Sequence, residues 1–150
     1  LIEQRGLFPR GSAGRAAMMQ GHFWGGIAIF VLAWWRLASR KRNGAPPITP
    51  PLGWFSATVA KTVHVLLYAF FIVMPVLGIL TAWSDDKQVL VPFTSIALPA
   101  LLPADKALAH SLEDLHGAIG TAFYWVIGLH ILAAVWHHRI RRHDPLQRLL

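Results

Sequence analysis

"EDLHGAIGTAFYWVIGLH", residues 113–130, opens on two acids and then runs from Gly117 to Leu129 without a charged side chain. The apolar run continues past His130 to Trp136. A helix needs about 20 apolar residues to cross a bilayer, and a lone segment satisfies its backbone in lipid only as a helix. This stretch therefore reads as a membrane span of about 116–138. Its oddity is the pair His116 and His130, because ionisable groups inside membrane helices are uncommon and point to function. The two are 14 residues apart, about 21 Å along a helix axis, and their rotation falls about 40° short of four full turns. Both rings face nearly the same side, one near each surface.

The composition agrees with lipid as the solvent. Of 150 residues, 55% are hydrophobic and 14% charged, against about a quarter charged in a soluble domain. The length suits one domain, residues 1–150. Net charge is +7. In a membrane protein that excess orients the loops, and nucleic acid is the weaker reading. Cysteine is absent, which excludes disulfides, cysteine-held iron–sulfur clusters, thiolate-ligated haem and covalent haem attachment.

Two further spans are expected, at about 21–38 ("GHFWGGIAIFVLAWWRLA") and 58–83 ("TVAKTVHVLLYAFFIVMPVLGILTAW"). Pro75 inside the second should free a carbonyl one turn earlier. The fold class is thus all-α, a transmembrane helical bundle. Arg40, Lys41 and Arg42 follow the first span, and Arg139, Arg141, Arg142 and Arg148 follow the third. The connection between the second and third spans holds Asp85, Asp86, Lys87, Asp105, Lys106, Glu113 and Asp114, a net of −3. The positive-inside rule puts the first two segments in the cytoplasm and the third outside. Residues 1–20 are then an outer segment, yet they lack the apolar core of a signal peptide. The expectation is that an earlier span preceded them, so that three spans of a four-helix bundle are present.

Histidines sort by depth in this topology. His22 and His116 lie at the outer ends of their helices and can face each other. His130 lies deeper, toward the cytoplasm. Its partner is either His64, near the cytoplasmic start of its span, or a residue of the earlier helix. Two ligands so far apart cannot share one metal ion, but each can hold a large flat cofactor, and two stacked haems fit the spacing. An iron held by two imidazoles has no open position and suits electron transfer. Gly25, Gly26, Gly117, Gly120 and Gly128 lie near these histidines and permit close approach, of a macrocycle or of another helix. Trp24, Trp34, Trp35 and Trp125 read as interface anchors and packing. Arg36 suits a haem propionate or the headgroups.

The pieces "RGLFPR", "PPITP", "HVLLYAFFIVMPVLG", "LHGAIG", "YWVIGLH" and "WHH" together give a resemblance to the bacterial cytochrome b561 family. These are four-helix membrane dihaem proteins related to the b-type subunits of hydrogenases and formate dehydrogenases. The resemblance covers nearly the whole chain. It implies haem b as cofactor, with His22 and His116 on the outer haem and His130 on the inner one, whose partner it places on the preceding helix. It leaves His64 as a motif member near the inner haem. It also sets His137 near a quinone pocket, with Arg139 on its basic rim.

The function expected is electron transfer from an outer donor to membrane quinone. The resemblance points to superoxide as donor and ubiquinone as acceptor, a quinone-linked oxidoreductase of the respiratory chain. Lys87 and Lys106 are the only basic residues of the outer loop and are outnumbered by acids; Arg5, Arg10 and Arg15 add positive charge nearby. A conduit for a partner dehydrogenase or hydrogenase subunit is the alternative in the same chemistry, and a homo-oligomer is compatible with either. A metal-ion transporter is the alternative of another class. It would need ligands clustered at mid-membrane with acidic partners, and the spans hold no Asp or Glu.

Overall fold

The structure is a computed structural model that describes residues 8–9, 11–44 and 53–139, the side chains of 137–139 excepted. It consists of three long helices, α1 (Ala13–Asn43), α2 (Trp54–Ser84) and α3 (Lys106–Arg139). Each is long and apolar enough to cross a membrane. No named β-strand occurs among the described residues; one antiparallel bridge, Leu90 to Ala97, closes a small hairpin in the α2–α3 connection.

The helices overrun the apolar stretches at both ends. α1 starts eight residues before the expected span, so residues 13–20 are helix rather than loop. The cause is local. Ser12 caps the helix by accepting the N–H of Arg15 at 3.3 Å, and apart from Gly14 the residues Ala13–Gln20 are good helix formers. α1 ends where Gly44 adopts φ 72° and returns its N–H to Arg40 at 3.0 Å. Arg40, Lys41 and Arg42 fill that last turn, where cations suit the helix dipole. Asp105 caps α3 by accepting the N–H groups of Ala107 and Leu108 at 2.9 and 3.0 Å. Pro75 sits inside α2, which runs on through it.

α2 lies between α1 and α3 and packs against both. Gly26 of α1 passes Pro75 of α2, where an added Cβ would stand 3.9 Å from the proline ring. The N-terminal end of α1, the C-terminal end of α2 and the N-terminal end of α3 therefore share one side. Burial is concentrated there, in Phe23, Ala82 and Val89 with Met19, Ile27 and Leu98 around them. Elsewhere the helices present apolar side chains outward, such as Leu32, Trp35, Leu129 and Leu132, as lipid-facing surfaces do.

The α2–α3 connection is fastened to α1. Gln20 donates to the Gln88 carbonyl at 2.8 Å and accepts from Leu90 N–H at 2.9 Å. Trp24 Nε1 donates to the Leu90 carbonyl at 2.6 Å. The indole N–H of Trp24 is thus spent on packing the loop against α1. Two carbonyl–amide bonds, Leu98 to Val89 at 2.9 Å and Val91 to Ile96 at 2.8 Å, complete the hairpin.

Candidate functional site

The two histidines of α3 meet α2 at two positions that are also 14 residues apart, Gly78 and His64. An antiparallel pair of helices in one register produces this, since both rise by about 1.5 Å per residue. His116 lies on the backbone of α2 at Gly78, where an added Cβ would stand 3.2 Å from its Cε1. The sequence reading did not single out Gly78, although its place one turn after Pro75 in the "PVLG" piece was visible.

At the outer layer the rings of His22 and His116 face each other, with centroids 5.9 Å apart and planes at 80°. His116 Nδ1 is buried and has no hydrogen-bond partner. A buried polar atom is rarely left so in a finished structure. The rings border a cleft of about 650 Å³ that reaches from Phe70, Tyr124 and Ile127 to Lys87, His110 and Asp114. That volume lies within the range of small-molecule and cofactor sites. Gly117 and Gly120 line it too. Gly25 and Gly128 meet no neighbour within 4 Å.

The fit to a haem can be tested on distance. An iron between two imidazoles, each nitrogen about 2 Å from the metal, sets the ring centroids about 6 Å apart. The outer pair has that spacing. At the inner layer His64 and His130 also face each other, with centroids 5.2 Å apart and planes at 81°. That spacing is about 1 Å too short to hold an iron between the rings. His64 is held through Nδ1 on the Ala60 carbonyl at 2.7 Å, so its Nε2 is the atom left for another partner. Arg36 Nε donates to Tyr68 OH at 2.9 Å and ties α1 to α2 one turn from His64.

His137 and Arg139 lie in the last turn of α3; their side chains are outside the described residues, as are Arg5 and Arg10. Among the described residues, no three His, Cys, Asp or Glu side chains gather around a point that could hold a bare metal ion, so the transporter reading gains no support. Outside the spans, Asp85 receives both Lys106 and Lys87. These hydrogen bonds, Lys106 first, hold its carboxyl below the usual carboxylate range.

Comparison with known proteins identifies the family. Residues 4–150 match the family described as prokaryotic cytochrome b561. The chain is 33% identical over 152 residues to cytochrome b561 homolog 1 of Escherichia coli strain K12, across 99% of this chain and 84% of that protein. It is 32% identical over 149 residues to a probable superoxide oxidase, CybB, of Yersinia pestis, across 99% and 82% respectively.

Proposed function

The chain belongs to the prokaryotic cytochrome b561 family, a membrane b-type cytochrome that transfers electrons, and from that premise we propose that it moves them from superoxide at the outer face to ubiquinone. The observation that carries the proposal is the His22–His116 pair, spaced for one iron across a cleft with an unpartnered imidazole nitrogen. The likeness to a probable superoxide oxidase supports the donor.

In this reading His22 and His116 hold the outer haem b and His130 holds the inner one. Bound there, haem supplies one-electron carriers at two depths. With both His22 and His116 on its iron, haem in the outer site would have no open position and would accept an electron from superoxide without binding it. Two superoxide anions lose one electron each and leave as two dioxygen molecules. Ubiquinone takes those two electrons and two protons and leaves as ubiquinol. His137 delivers a proton at the cytoplasmic end of α3, with Arg139 on the rim. The loop from Ser84 to Leu115 is outside, and the C-terminus is cytoplasmic. A reporter active only in the cytoplasm, fused at Leu150, gives signal.

The test is ubiquinol formation by the purified protein supplied with a superoxide generator. The expected result is ubiquinol in proportion to superoxide, abolished by superoxide dismutase and by His116→Ala. A haem-loaded protein that ignores superoxide, yet reduces quinone when a dehydrogenase supplies electrons, would replace superoxide with a protein donor.

A further inference from the structure

We propose that Lys87 receives a carboxylate of the outer haem, an inference that rests on the haem reading of the His22–His116 cleft. Haem is a flat apolar ring with two carboxylates on one edge. The cleft has two ends of opposite character. Phe70, Tyr124 and Ile127 lie toward the middle of the membrane, while Lys87, His110 and Asp114 lie at the ends of α2 and α3 and in their connection. A carboxylate taken from water without a partner is strongly disfavoured. The carboxylate edge must therefore point to the polar end.

At that end the candidates for an anion among the described lining residues reduce to one. His110 is engaged with Asp114, Nδ1 to Oδ2 at 3.0 Å. Asp114 and Glu113 line the cleft and repel a carboxylate. Lys87 is the permanently charged cation among the described lining residues. Its position is fixed, because its N–H bonds the Ala82 carbonyl at 2.8 Å at the close of α2.

Lys87 is not the sole partner of the carboxylate it touches. Lys87 and Lys106 share a single carboxylate, that of Asp85. Lys106 grips it doubly, with 2.8 Å to Oδ1 and 3.2 Å to the backbone carbonyl. Lys87 reaches Asp85 through Oδ2 while Lys106 holds the same carboxylate through Oδ1, so Asp85 keeps a partner when the Lys87 ammonium turns to a second anion. An incoming carboxylate can share the Lys87 ammonium without breaking the Lys106 contact.

The experiment compares iron protoporphyrin IX with its dimethyl ester, which lacks the two charges, in titrations of apo-protein followed by absorbance. Lys87→Met is expected to weaken binding of the free acid roughly tenfold, the scale of one charge-assisted hydrogen bond. It should also lower the reduction potential of the outer haem. Affinity for the dimethyl ester stays the same in wild type and variant, which shows that the variant folds, and Lys87→Arg restores the free-acid affinity. If Lys87→Met weakens both porphyrins equally, or neither, Lys87 holds no carboxylate. If wild type binds neither porphyrin, the haem reading of the cleft fails first and takes this inference with it.

Discussion

The ring of His116 rests on the backbone of Gly78, so closely that a Cβ at position 78 would come within 3.2 Å of its Cε1. The helix backbone itself sets how far the imidazole reaches toward His22. Gly78→Ala is expected to keep the fold and displace the ring by a few tenths of an ångström, lowering affinity for the outer haem several-fold. Gly78→Leu is expected to push the ring out and abolish that haem. Haem content and the reduced absorption band of the two variants check this; full haem in Gly78→Leu would show that His116 finds its place by other means.

His22→Ala and His116→Ala should remove the same haem. Their rings oppose each other at 5.9 Å, so each iron bond depends on both. Redox titration should show the two variants losing the same potential component. A variant that keeps full haem content excludes its residue as a ligand.

The inner layer should behave differently. His64 and His130 stand 5.2 Å apart, too close for an iron between them without movement of a ring, and His64 is fixed by Ala60. Expressed as these 150 residues, the protein should bind fewer than two haems. Any inner haem should be high-spin and bind carbon monoxide, while the outer one resists it. His64→Ala should leave that reactivity unchanged. An inner haem already inert to carbon monoxide that becomes reactive in His64→Ala would make His64 the second ligand.

His137→Ala is expected to leave haem content intact and to slow quinone reduction by roughly 10²-fold, the low end of a lost proton donor. Stopped-flow reoxidation by quinone measures it. Unchanged kinetics would remove His137 from the proton path.

Asp85 predicts an acid limit. A carboxyl whose folded pKa is depressed stabilises the protein fully above its unfolded value, about 3.9, and loses that contribution as pH falls through the folded value. The depression at Asp85 comes from Lys106 and then Lys87. Wild type should therefore melt a few degrees above Asp85→Asn at pH 6, and the difference should shrink as pH falls below about 4 toward the depressed folded value. Melting curves that differ equally at pH 6 and pH 2.5 would assign the effect to something other than charge.

The sequence by itself determined the three spans and the two-layer placement of histidines. Both are local properties: a segment in lipid must satisfy its own backbone as a helix, and the helical period puts His116 and His130 on one face. The helix ends were less legible, because α1 begins at Ala13 on the Ser12 cap rather than where the apolar run begins. Tertiary structure alone decided what each histidine meets. That Gly78 lies under His116, that His64 lies against His130, and that Lys87 reaches the outer cleft all depend on the register between helices. Register is set by contacts between distant residues, such as Gly26 against Pro75 and Gln20 and Trp24 against the Gln88–Leu90 loop. The period of one helix constrains which side its residues face, but it carries no information about how far that helix has slid along its neighbour.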